Sequence, residues 1–226
     1  MEKHMRLKYL RECLSIFFHS IKVGYQLMTS FFRIARLPMP IVTVFGGAQA
    51  KEETEYTKKA NDFARRCAQK GISVVTGGGP GIMKAATCGA AGVRKKGEKL
   101  QTLGISVSGV DEDFVNPCSD VLRVNYFFMR KWLLIRYSLG FVIFPGGVGT
   151  MDELFDLLNM IKHHRIPELP VVLVGTSYWE PIVQWFRAAL KEGLIDERLM
   201  KLFVVTDSID EAYEIICDMC EYYLEE

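Results

Sequence analysis

Net charge is almost absent from this chain. Its 28 Lys and Arg face 27 Asp and Glu, leaving +1 over 226 residues. Such a balance gives no overall pull towards nucleic acid or an anionic membrane. No uncharged run is long enough to span a bilayer. Basic residues precede the apolar stretch 14–18, as in a secretory signal. His19 and Lys22 break that stretch, however, and no small-residue cleavage site follows, so a signal peptide is rejected. The six cysteines, Cys13, Cys67, Cys88, Cys118, Cys217 and Cys220, are scattered through apolar or helical contexts. They read as reduced, mostly buried thiols of a cytoplasmic protein. No second ligand pair accompanies Cys217-x-x-Cys220, so zinc is not expected and the two are assigned to core packing. His163 and His164 read as part of a polar loop, and no metal is expected there either.

The commonest nucleotide-binding spacings are missing too. No Gly-Lys-Ser/Thr closes a glycine-rich turn, and no G-x-G-x-x-G is followed at the right distance by an acidic ribose reader. A P-loop kinase and a dinucleotide oxidoreductase are therefore disfavoured. What the chain does have is Phe144-Pro145-Gly146-Gly147-Val148-Gly149-Thr150-Met151-Asp152-Glu153. It follows the apolar run Phe141-Val142-Ile143-Phe144, which reads as a buried strand. It leads into Leu154, Phe155, Leu157, Leu158 and Ile161 at helical spacing. A glycine-rich turn between a strand end and a helix start presents backbone N–H groups and a partial positive charge, which suits a phosphate. The structural alternative is a capping box, Thr150-x-x-Glu153, that merely finishes the helix end.

Two more glycine-rich turns end apolar runs: Gly46-Gly47 after Ile41-Val42-Thr43-Val44-Phe45, and Gly77-Gly78-Gly79-Pro80-Gly81 after Ile72-Ser73-Val74-Val75-Thr76. Further strands are expected at 103–107, 121–124, 171–174 and 203–205. Helices are expected at 52–70, 82–91, 126–138, 150–162, 179–190 and 208–224, with loop at 108–120, including Asp111 and Glu112. Apolar strands alternating with helices imply an α/β fold: a Rossmann-like, doubly wound, mainly parallel sheet with helices on both faces. Ligands in such sheets sit at the carboxyl ends of the strands, where the order reverses. Three glycine turns able to share that edge are better explained by a nucleotide-sized ligand than by tight turns alone.

Residues 1–37 read as an N-terminal helical extension, and 38–226 as a nucleotide-binding catalytic domain. Leu7, Leu10, Leu14, Phe17, Ile21 and Met28 recur at helical spacing in the extension. Its charge is lopsided: Lys3, Arg6, Lys8, Arg11, Lys22, Arg33 and Arg36 against Glu2 and Glu12. The last segment is the reverse, with Asp207, Asp210, Glu211, Glu214, Asp218, Glu221, Glu225 and Glu226 and no Lys or Arg. Packing of the extension on its own domain or on a partner subunit is expected. A surface-lying amphipathic helix is the remaining alternative.

Gly77-Gly78-Gly79-Pro80-Gly81-Ile82-Met83 together with Pro145-Gly146-Gly147-Val148-Gly149-Thr150-x-x-Glu153 resembles the LONELY GUY family, the cytokinin riboside 5′-monophosphate phosphoribohydrolases often labelled lysine decarboxylase-like. Arg130-Lys131, Leu173-Val174-Gly175 and Tyr178-Trp179 extend the similarity. The resemblance implies hydrolysis of the N-glycosidic bond of AMP or an N6-substituted AMP to free base and ribose 5-phosphate. It implies Arg130 and Glu153 as the catalytic pair, and a homodimer. Gly46, Gly77, Gly78, Gly79, Met83, Lys131, Pro145, Gly146, Gly147, Val148, Gly149 and Thr150 would bind substrate. Met83 and Tyr126 are candidates for the base pocket or for the core, and Lys131 for the site or for solvent. No organic cofactor is implied, since decarboxylation would need a pyridoxal phosphate site with a Schiff-base Lys that nothing marks. Ser138-Leu139-Gly140, Gly46-Gly47-Ala48-Gln49 and Lys84 depart from the family pattern and bear on base specificity.

A carboxylate beside a ribose can stabilise the oxocarbenium-like state of N–C cleavage and orient or deprotonate water. A non-catalytic carrier of nucleotides or pterin cofactors on the same fold is the alternative. Single-stranded DNA binding is disfavoured by the near-neutral charge and the lack of an interleaved basic–aromatic stretch.

Overall fold

A computed structural model describes residues 2–93, 101–110 and 113–225, without the side chains of residues 2–8, 10, 224 and 225. Asp111 and Glu112, expected in a loop, lie outside the described residues. So do the side chains of Lys3, Arg6, Leu7, Lys8 and Leu10, and that of Glu225; Glu226 is not described at all. The chain divides into two compact units, Met1–Arg36 and Leu37–Glu226. The first is a single long helix, α1 (Glu2–Ile34).

The second unit alternates strand and helix. The strands are β1 (Ile41–Phe45), β2 (Ser73–Thr76), β3 (Thr102–Val107), β4 (Asp120–Val124), β5 (Phe141–Ile143), β6 (Val171–Val174) and β7 (Val204–Thr206). The helices are α2 (Glu55–Gln69), α3 (Ile82–Ala91), α4 (Phe127–Arg136), α5 (Val148–Lys162), α6 (Thr176–Lys191), α7 (Glu197–Met200) and α8 (Ile209–Glu225). The short α7 was not foreseen. Four residues carry no readable period, and it is held by the Asp196 carboxylate accepting from Leu199 N at 3.0 Å.

All seven strands are parallel, in the order β4-β3-β2-β1-β5-β6-β7. The fold is the expected Rossmann-like α/β sheet. Its strands are apolar throughout because both faces are covered. Val42, Val44, Val142, Phe144, Val172 and Val174 point one way, into a core with Phe63, Ala64 and Cys67 of α2, Ala86 of α3 and Ile216 of α8. Alternate residues point the other way. There Phe45 and Phe141 stack at 6.3 Å, and the Thr43 hydroxyl donates to Leu134 O of α4 at 2.7 Å. The chain runs outward from β1 to β4, then returns to β5 on the other side of β1. The order therefore reverses between β1 and β5.

Cysteine usage corrects the sequence expectation. Cys88 of α3 and Cys118 of the loop before β4 form a disulfide, so the six cysteines are not all reduced thiols. Thirty residues separate them in sequence. Only the packing of that loop on α3, where Asn116 Nδ2 also donates to Thr87 Oγ1 at 3.0 Å, brings the two within reach. Cys13 is exposed. Cys67, Cys217 and Cys220 are buried thiols in the core, and burial pushes Cys220 up to about 12. Among the described residues no helix is long and apolar enough to cross a membrane.

Candidate active site

A cavity of about 620 Å³ opens at the carboxyl ends of β1, β2, β3 and β5, over the point where the strand order reverses. That volume falls in the range of small-molecule sites, roughly 300–1,000 Å³. The three glycine turns meet there. Gly47 N donates to Pro145 O at 3.0 Å, joining the first turn to the third. Ile82 N donates to Gly47 O at 3.2 Å, joining the second to the first.

The glycines of the third turn differ in what surrounds them. A Cβ on Gly146 would collide with the Thr150 hydroxyl and stand 2.8 Å from Gly47 N, so Gly146 is required by packing. A Cβ on Gly147 or Gly149 would meet nothing within 4 Å. Both glycines line the cavity, and neither is needed to let the protein pack. Gly147 is the N-cap of α5, and no side chain caps that helix. The first intrahelical bond of the turn is Met151 N to Gly147 O, so the N–H groups of Val148, Gly149 and Thr150 precede the ladder.

The capping-box alternative is overturned here. Helix α5 begins at Val148, two residues earlier than expected, so Thr150 is its third residue and Glu153 its sixth. The side chain of Thr150 lies inward against Gly146, and Glu153 is buried on the inner face of the helix beside Leu154 and Leu157. Glu153 Oε1 receives Arg130 Nη1 at 2.7 Å. The Arg130 Nε donates to Ile105 O of β3 at 3.1 Å. Its guanidinium lies against Gly77, where any Cβ would strike it and would come within 2.7 Å of Met83 Sδ. One ion pair thus ties α4, α5, β3 and the second glycine turn together at the cavity wall.

Burial pushes the Glu153 carboxyl above its ordinary range. The Arg130 charge and hydrogen bond oppose that rise without cancelling it. The result is a carboxylate of raised proton affinity held by a fixed cation, a form suited to general base work.

Of the residues expected to form the site, Gly46, Gly77, Gly78, Gly79, Met83, Arg130, Pro145, Gly146, Gly147, Gly149, Thr150 and Glu153 all line the cavity, and Gly47 of the first turn joins them. Val148 does not: its side chain is 87% exposed, leaving only its N–H towards the turn. Lys131 does not either. Its ammonium donates to Asp152 at 2.8 Å and lies 3.7 Å from Asp156. Burial pulls its pKa down, but Asp152, Asp156 and Glu153 outweigh that and hold it above the ordinary value. Tyr126 is the N-cap of α4, and its neighbour Phe127 takes the place at the wall.

The sequence reading missed an apolar wall formed by Val107, Val110, Phe114, Val121 and Phe127, together with Arg123 and Tyr178. The Tyr178 hydroxyl donates to Gly146 O and so braces the third turn from α6. Its Tyr-Trp pairing after β6 was visible as part of a motif; the wall residues, spread over a loop and three elements, had no common signal.

The fold is a Rossmann-like α/β sheet with a cavity over the point where the strand order reverses. Residues 83–216 match the family model described as "Possible lysine decarboxylase". The chain belongs to the LONELY GUY family. It is 28% identical over 177 residues to a cytokinin riboside 5′-monophosphate phosphoribohydrolase of Rhodococcoides fascians, covering 77% of this chain and 88% of that one. It is 26% identical over 188 residues to a probable enzyme of the same name from Oryza sativa subsp. japonica, covering 80% and 72%. Among solved structures, the molybdenum cofactor binding protein of Rippkaea orientalis matches with a TM-score of 0.58 at 19% identity, over 80% of this chain and 96% of that one. The molybdenum cofactor carrier protein of Chlamydomonas reinhardtii matches with a TM-score of 0.58 at 23% identity, over 80% and 97%. These two likenesses are of fold.

Proposed function

We propose that this protein is a phosphoribohydrolase that cleaves the N-glycosidic bond of AMP or an N6-substituted AMP, releasing free base and ribose 5-phosphate. The observation that carries this reading is the Arg130–Glu153 pair, 2.7 Å apart with the Glu153 carboxyl buried, beside a helix start whose N-cap makes no side-chain hydrogen bond. The 5′-phosphate sits on the N–H groups of Val148, Gly149 and Thr150, where the helix end is positive. Glu153 faces the ribose. Its negative charge stabilises the cation that develops as the N–C bond breaks, and its raised proton affinity lets it take a proton from the attacking water. Arg130 keeps Glu153 ionised and in place. The base lies against Met83 and the apolar wall. A homodimer in the cytoplasm is part of the same reading, and light scattering at twice 25.7 kDa is the expected result for the assembly.

Lysine decarboxylation finds no support at this site. Among the described residues that line the cavity none is a lysine, so none is placed for a Schiff base. The competing reading is a carrier, favoured by the likeness of fold to the two molybdenum cofactor proteins, in which the cavity binds its ligand without turnover. Incubating the protein with a panel of nucleoside 5′-monophosphates and measuring free base separates the two. Base release with ribose 5-phosphate in equal amount is expected, and binding without release would assign the protein to the carriers.

A further inference from the structure

The cavity is lined by residues of the second unit, and the surface of helix α1 asks for its own explanation. Leu14, Ile21 and Met28 recur every seven residues, with Phe17 and Phe18, Tyr25, and Phe31 and Phe32 three or four positions after them. All are exposed, Phe18 by 64% and Tyr25 by 72%. The stripe from residue 14 to 32 is ~27 Å long. Exposed apolar surface so extended marks an interaction face. Along one flank lie Arg11, Lys22 and Arg33, with His19 and Gln26. Between residues 9 and 34 the single carboxylate is Glu12.

Two occupants fit an apolar stripe: a second copy of the helix or a lipid surface. Pairing of two such helices relies on opposite charges at the positions beside the seam. Here those positions hold Phe18, Tyr25 and Phe32 on one side and Ser20 and Leu27 on the other, and Gly24 leaves a gap in the seam itself. Each copy would also bring its own excess of positive charge to the other. An anionic bilayer satisfies both features at once, with aromatic rings at the acyl boundary and long basic side chains reaching the phosphates.

We propose that α1 is an interfacial helix that lays the Leu14–Phe32 stripe into the surface of an anionic bilayer, with Arg11, Lys22 and Arg33 on the lipid phosphates. This holds whether the cavity belongs to a hydrolase or to a carrier. The test is flotation of the full chain with vesicles of phosphatidylcholine mixed with phosphatidylglycerol, and with vesicles of phosphatidylcholine alone. Binding to the mixed vesicles is expected, weakening as salt is raised. Reversing the three charges (R11E, K22E, R33E) should weaken it on the order of a hundredfold. Replacing Phe17, Phe18 and Tyr25 by Ser should abolish it. These residues are exposed, so the melting temperature should not move in either variant. No flotation with the mixed vesicles would overturn the proposal, as would equal binding to the neutral ones. Light scattering that shows the Ser variant breaking an oligomer, while the wild type ignores vesicles, would assign the stripe to a second copy and overturn it too.

Discussion

Two helix starts in this protein are built in opposite ways. Helix α2 begins at Thr54, whose hydroxyl accepts from Thr57 N at 3.3 Å, and its first turn carries Glu55. Its end is completed by its own side chains. Helix α5 has Gly147 at its N-cap, no acidic residue in its first turn and no side-chain cap on its N–H groups. The first is a finished structural element. The second leaves its donors and its positive end facing a cavity. The same comparison holds within one turn: Gly146 is a glycine because Thr150 and Gly47 leave no room, while Gly147 and Gly149 have room to spare. At Gly147 and Gly149 packing does not require glycine, and the proposed function uses that open space for the phosphate.

The sharpest way to break the comparison is at Glu153. Glu153→Gln keeps the shape but removes the charge beside the ribose and the capacity to act as base. Base release should fall on the order of 10²–10⁴-fold, with phosphate binding retained. Turnover like that of the wild type would remove the role given to this carboxylate.

The next effect is expected at Gly147. Gly147→Asp gives α5 the kind of cap that α2 has, in a position where a Cβ meets nothing. The carboxylate would take the donors and repel the phosphate. Binding of AMP, measured by calorimetry, should weaken about a hundredfold, while binding of the nucleoside changes far less. The melting temperature should hold or rise, since Asp is a good cap. Thr54→Ala is the converse. It should cost about 1 kcal/mol of stability and leave AMP affinity unchanged.

The smallest effects are in pH dependence. Burial raises the Glu153 pKa, so loss of activity on acidification should begin at higher pH than for an ordinary carboxylate. Arg130→Gln removes the partner that holds this pKa down, and the acid limb should move further up. The sign for stability is opposite. A carboxyl whose pKa is raised on folding favours the folded state when protonated, and that contribution is lost as pH rises through the raised value. The wild type should therefore lose stability relative to Glu153→Gln between acid and neutral pH, read as the difference in melting temperature. Identical acid limbs for the wild type and Arg130→Gln would dissociate the two residues.

Much of the sheet was legible in the sequence because buried parallel strands need apolar residues on both faces. Ile41–Phe45 and Val171–Val174 are unbroken apolar or Thr runs for that reason. The glycine turns were legible because glycines clustered after each apolar run, some of them, such as Gly81 and Gly146, where a Cβ would collide with a neighbour. The start of α5 was misplaced by two residues, since Thr150-x-x-Glu153 has the spacing of a capping box whether or not it is one. The resemblance left Lys131 between the site and solvent; neighbours on a helix point in different directions, and Arg130 meets Glu153 while Lys131 meets Asp152. At the cavity wall Phe127, the first residue of α4, stands in place of Tyr126, the extended N-cap before it.

By itself, then, the sequence determined the α/β class, the strands and the three turns that hold the site, because burial and tight backbone approach restrict residue choice locally. The tertiary structure alone decided that Glu153 faces Arg130 rather than its own helix end, and that Cys88 finds Cys118. It also decided that Val110, Phe114 and Tyr178 join one wall. Each of those pairings joins residues far apart in the chain, and only the winding of the strands brings them together.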